Sequence, residues 1–256
     1  MNALNDLLAA SNLILWHGFI VFLRMAAISA LLPGFGEQSA PMRIKLVIAL
    51  AFTAIVAPSV SLDGITFDFP SVVFLIFTEI LSGLAIGIGL RLLVLGLQTA
   101  GSIAAQSTSL SQVLGGAAID PLPAMGYILI VAGVALATMT GLHVKAAQLV
   151  ILSYEILPVG QFALGSELSE WGVNQVSYAF SLAFTLAAPF VVLSVLYNFA
   201  LGAINRAMPQ LMVAFVGAPV ITLGGLALLF VSAPYMLSVW LGAMDAYLFD
   251  PFGARQ

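Results

Sequence analysis

"LLVLGLQTAGSIAAQSTSLSQVLGGAAID", residues 92 to 120, begins as an apolar helix, turns polar, and meets no charge until its last residue. Whether this stretch crosses a membrane decides how many spans the chain has and on which side each loop lies. Gln98, Gln106, Ser107, Thr108, Ser109, Ser111 and Gln112 all bring hydrogen-bonding groups that hydrocarbon cannot satisfy. Gly115 and Gly116 break helical regularity, and Asp120-Pro121 closes the segment. The region at about 92–120 therefore reads as a non-spanning polar hairpin or loop, packed inside protein or lining a watery cavity.

The rest of the chain explains why this polar stretch stands out. Of 256 residues, 62% are hydrophobic and 7% charged, where a soluble domain carries roughly a quarter charged. Water is not the solvent for most of such a surface. A helix needs about 20 apolar residues to cross ~30 Å of hydrocarbon. Six segments meet that need, at about 8–31, 45–62, 69–90, 124–150, 172–202 and 212–241. None alternates apolar and polar as the strands of a membrane barrel do, so the expected class is all-α and polytopic. "MNALND" at residues 1–6 lacks a basic n-region, so the first apolar segment is expected to be retained.

Basic residues orient spans. Arg43 and Lys45, Arg91, and Arg206 mark cytoplasmic turns, whereas the loop at 154–171 carries Glu155, Glu167 and Glu170 and no base. With 92–120 not crossing, the parity puts both termini outside. "NRAMPQLMVAFVGAP" at 205–219 holds Arg206, the sole full charge between Glu170 and Asp245, with Pro209 and Gln210 behind it. From physics alone it is a cytoplasmic turn whose arginine sets topology.

Apolar helices in lipid associate through small residues and interhelical hydrogen bonds. Gly83 and Gly87, then Gly96, Ala100 and Ala104, then Gly133, Ala137 and Gly141 recur at four-residue spacing. Such spacing fits both ordinary membrane-helix composition and close packing against other helices, including those of other subunits. Arg24 and Glu79 lie inside apolar spans. An ionisable group at that depth is paired or functional. Their opposite signs favour pairing with each other, and the groups along any one path are too few for a proton relay. His17 and His143 have no second ligand at metal spacing, and Lys145 is expected to snorkel to the interface.

The chemistry of an enzyme is not written here. The chain has no cysteine, hence no disulfide, thiol nucleophile or thiolate metal site. It has no phosphate loop, no His-Glu-x-x-His and no Gly-x-Ser-x-Gly elbow, and nothing calls for a cofactor. The net charge of −4, spread over short loops, offers no surface to nucleic acid.

Three stretches together resemble a known family: "PGFGEQSAPMRIKLVIAL" (33–50), "EILSGLAIGIGLRLLVLGLQTAGSIAAQ" (79–106) leading to "AAIDP" (117–121), and "NRAMPQLMVAFVGAPV" (205–220). They are similar to the FliR/SpaR/YscT/HrcT family of the type III secretion export apparatus, over nearly the whole chain. Arg206-x-x-Pro209-Gln210 ahead of Gly217 and Pro219 is the most specific element; Met212, Val213 and Ala214 depart from the Asn-Val-Phe pattern of many members.

The resemblance implies a flagellar export-gate subunit of the inner membrane, at the basal body. It would assemble with FliP-like and FliQ-like membrane subunits around a channel for unfolded flagellar substrates, served by cytoplasmic export components. It further implies a FliP-like part over 1–165 and a FliQ-like hairpin over 166–256. Pore or plug residues would then be Gln106, Ser107, Ser109, Ser111, Gln112, Gly115, Gly116 and Asp120. Arg206, Pro209 and Gln210 would form a cytoplasmic hairpin tip. A pore for varied chains needs a lining that is polar but weakly charged, and glycines that permit rearrangement, which is the character of 106–120.

Competing readings are an injectisome export-gate homologue, a membrane assembly factor without a pore, and a secondary transporter for a small solute. A transporter would show interrupted helices in matching positions of two halves. Pro189, Pro219 and Pro234 interrupt only the later spans.

Overall fold

The computed structural model describes residues 2–36, 41–61, 68–109, 124–161, 165–208 and 213–253. Among them the regular structure is helical throughout: α1 (Asn2–Leu31), α2 (Met42–Val56), α3 (Phe69–Ser109), α4 (Ala124–Met139), α5 (Leu142–Ile156), α6 (Gly165–Ala207) and α7 (Val213–Phe249), with a short 3-10 turn at Ala57–Ser59.

Local chemistry sets the boundaries. Proline and a left-handed glycine stop α1, where Gly34 has φ +80° and Gly36 N–H closes on Leu32 O at 2.8 Å. Pro41 caps the start of α2, and its carbonyl accepts from Ile44 N–H at 2.9 Å. α6 follows the helix dipole, with Glu167 in its first turn and Arg206 in its last. Pro189 lies inside α6, and Pro219 and Pro234 lie inside α7. Membrane helices tolerate such prolines because neighbours re-satisfy the freed carbonyls.

Five helices are long and apolar enough to cross a membrane, and the sharply bent pair α4–α5 makes a sixth if it is one broken span. The chain is thus an all-α polytopic membrane protein, as its composition requires. Two expectations need correction. The 124–150 span is broken at Thr140–Gly141, where Gly141 takes φ +84°, a conformation open to glycine but costly for residues with a Cβ. The stretch 92–109 is not a hairpin; it continues α3 to Ser109, while 110–123 lies outside the described residues.

The hydroxyls explain the second correction. Thr99 Oγ1 donates to Leu95 O at 2.8 Å, Ser102 Oγ to Gln98 O at 3.0 Å and Ser107 Oγ to Ala104 O at 2.9 Å. Thr108 Oγ1 reaches both Ala104 O (3.2 Å) and Ala105 O (3.0 Å). Each of these four hydroxyls returns its donor to its own helix three or four residues back, so their polarity does not end the helix.

The chain divides into two compact units that alternate along it. The first comprises residues 1–91, 138–174 and 245–255, the second 92–137, 175–244 and 256. In the first, the buried core includes Val21, Met25, Ile28, Ile86, Leu90 and Tyr247. In the second it includes Leu93, Leu97, Leu129, Phe190 and Trp240.

Candidate functional site

Within the first unit, α1 carries Arg24 and α3 carries Glu79, and both side chains are fully buried. They meet as two forks: Arg24 Nε donates to Glu79 Oε2 at 2.8 Å and Nη2 to Oε1 at 2.9 Å. The remaining nitrogen, Nη1, donates to Ser153 O at 3.1 Å and Ser153 Oγ at 3.2 Å. The guanidinium carbon lies 3.8 Å from the centre of the Tyr154 ring. Desolvating two charges is costly unless they pair closely and their leftover groups are also satisfied. Here the pairing is bidentate, and an aromatic face covers the cation.

Close approach of α1 to α3 makes the pair possible. A Cβ on Gly83 would lie 2.6 Å from Arg24 O and 2.8 Å from Ala27 Cβ, and one on Gly87 would lie 2.9 Å from Leu31 Cδ1. The same unit has a second charge pair, Lys145 Nζ to Asp245 Oδ1 at 2.6 Å, so Lys145 is held by a carboxylate and does more than snorkel. Tyr247 Oη donates to Ile86 O at 2.9 Å, over Gly89, whose bare backbone leaves room for the phenol.

In the second unit, small residues seat helix on helix in the same way. A Cβ on Gly101 would overlap the Gly126 backbone, so α3 and α4 touch main chain to main chain. A Cβ on Gly96 would lie 3.0 Å from Ala179 O, and one on Gly133 would lie 2.8 Å from Leu97 Cδ2 and 3.2 Å from the Trp240 ring. Trp240 Nε1 donates to Leu93 O at 2.9 Å. Gly83, Gly87, Gly96 and Gly133 thus serve contacts within this chain, whereas a Cβ on Gly141 would meet nothing within 4 Å.

Of the pore or plug residues inferred from sequence, Ser107 is buried and Gln106 exposed near the end of α3, and Ser109 is its last residue. Ser111, Gln112, Gly115, Gly116 and Asp120 lie outside the described residues. Of the residues expected at a hairpin tip, Arg206 is exposed in the last turn of α6, while Pro209 and Gln210 lie outside the described residues. Sequence reasoning brought Arg24 to Glu79 but missed Ser153, Tyr154, Trp240 and Tyr247. Their partners lie 129 to 161 positions away in the chain, so no local pattern signals them: the Arg24–Ser153 bonds span 129 positions, and the Trp240 and Tyr247 bonds span 147 and 161.

Among the described residues no group of His, Cys, Asp or Glu could hold a metal ion. A multi-pass membrane protein, held by glycine contacts, aromatic donors and the buried Arg24–Glu79 ion pair, is the class that this geometry defines.

The chain belongs to the bacterial export proteins, family 1, whose model matches residues 15–247. It is similar to the flagellar biosynthetic protein FliR of Caulobacter vibrioides, 33% identical over 225 residues, which cover 86% of this chain and 90% of that protein. The Escherichia coli protein of the same name is 27% identical, covering 85% of this chain and 83% of the relative. That of Aquifex aeolicus is 28% identical, covering 83% of each.

Proposed function

We propose that this chain is a channel-forming subunit of a flagellar type III protein export gate in the bacterial inner membrane, within the basal body. The observation that carries the reading is the export-family match over residues 15–247, with relatives named for flagellar biosynthesis. It is a flagellar rather than an injectisome component on this reading because the relatives bear flagellar names.

Helix length supports partners around it. The uncharged run 171–205 in α6 has 35 residues by sequence. It is about 52 Å long at 1.5 Å per residue, against ~30 Å of hydrocarbon. Lipid alone could cover it only at a tilt of about 55°, beyond the usual ~40° limit. Yet α6 exposes Phe180, Phe184, Val192, Leu196 and Phe199 along that run, with Phe199 75% exposed. Such a stripe is suited to protein cover, and FliP-like and FliQ-like helical subunits are the proposed cover.

In this reading 1–165 is a FliP-like part and 166–256 a FliQ-like hairpin, a statement about descent. Arg206, Pro209 and Gln210 form the hairpin tip that meets cytoplasmic export components. The polar segment that starts at Gln106 near the end of α3, with Ser107, Ser109, Ser111, Gln112, Gly115, Gly116 and Asp120 as its proposed members, lies on the path of unfolded substrates and helps to close it. The chain has no catalytic role of its own in this scheme.

Deleting 110–116, past the end of α3, is expected to leave assembly intact while the resting membrane becomes leaky to ions. Ion flux into vesicles holding the assembled complex measures this. Unaltered flux would remove the plug from the proposal.

A further inference from the structure

We propose that Arg24 and Glu79 are positioning residues for the turn between α5 and α6, and that this role is separable from charge neutralisation. Two opposite charges need only each other to be neutral. Here the hydrogen-bonding capacity left over on both partners goes to one chain segment. Arg24 Nη1 reaches the main-chain and side-chain oxygens of Ser153, in the last turns of α5. Ser153 O also accepts from Leu157 N–H at 2.9 Å, so the guanidinium sits at the electronegative end of α5, where a cation is favoured. Across the pair, Glu79 Oε1 accepts a longer bond, 3.4 Å, from Gly160 N–H.

The turn has a second footing on α3. Gly160 takes φ +74°, and a Cβ there would lie 2.9 Å from Leu75 Cδ2. Leu75 is buried one turn before Glu79. Residues 153–160 are therefore held on α3 by an apolar contact and on the ion pair by donors and acceptors of fixed sense. An arginine is needed because its planar fork can bind a carboxylate and still present another N–H elsewhere, which a lysine ammonium cannot do at this spread.

The sense of these bonds gives the test. Glutamate at position 24 cannot donate to Ser153 O, and arginine at position 79 cannot accept from Gly160 N–H. The charge-exchanged variant R24E/E79R thus keeps neutrality and loses the hold on the turn. Because the chain has no cysteine, Val159→Cys, at a half-buried position of the turn, is a unique reporter. Its rate of reaction with a soluble maleimide is read in membranes holding the full chain with its natural partners.

The expected result is several-fold faster labelling in Arg24→Lys and in R24E/E79R than in the parent, with chain levels in the membrane retained in Arg24→Lys. Labelling at the parent rate in Arg24→Lys would overturn the proposal and leave the pair as a charge neutraliser only. Should R24E/E79R fail to accumulate, Arg24→Lys, which keeps the charge count, decides alone. The readout concerns the turn and not export, so its failure leaves the functional reading untouched.

Discussion

Arg24→Met is expected to destabilise the membrane-embedded protein by about 3–5 kcal/mol, the usual cost of removing one partner of a buried ion pair. Glu79 would be left fully buried without its bidentate partner, and the 3.4 Å bond from Gly160 N–H is too long to replace it. Ser153 O and Oγ would lose their cationic donor as well. The measurement is the melting temperature and membrane level of the purified assembly. Arg24→Met/Glu79→Leu is expected to regain most of the loss, since apolar replacement of a whole buried pair is often neutral. That double variant would still lack the hold on the turn. A single variant that melts like the parent would show that the pair adds nothing to the fold.

Gly101→Val is the second large effect, from sterics and not from charge. The added Cβ would occupy the space of the Gly126 main chain, and backbone cannot step aside as a flexible side chain can. Overpacking costs typically ~1–3 kcal/mol, and a contact between two backbones belongs at or above the upper end. Gly172→Ala, in α6, is the matched control, because a Cβ there meets nothing within 4 Å. It should be neutral or stabilise by about 0.5–1 kcal/mol, as alanine relieves the entropic cost of a helical glycine. Equal behaviour of the two variants in a thermal unfolding assay would contradict the α3–α4 contact.

Much of the architecture was legible because membrane helices obey a blunt rule. Long uncharged runs such as 171–205 leave little choice but helix, and two opposite charges in apolar spans, Arg24 and Glu79, point to each other. What misled was the polarity of 92–109. Serine and threonine count as polar in any composition, yet here Thr99, Ser102, Ser107 and Thr108 spend their donors on their own helix. The helix break at Gly141 depends on a single positive φ that "TMTGLHV" does not announce. Trp240 and Tyr247 looked like apolar bulk because their acceptors, Leu93 O and Ile86 O, are main-chain atoms far away in sequence. Of the candidate site, Arg206 lies exposed in the last turn of α6, and Gln106 and Ser107 lie exposed and buried near the end of α3.

The proposed function requires that this chain work among other helical subunits. Native mass spectrometry of the tagged protein, drawn from its own bacterium in mild detergent, tests it most directly. The account predicts a hetero-oligomer in which one protein of this mass is joined by several copies of smaller apolar helical proteins. A stable, monodisperse monomer from cells that are building flagella would contradict it.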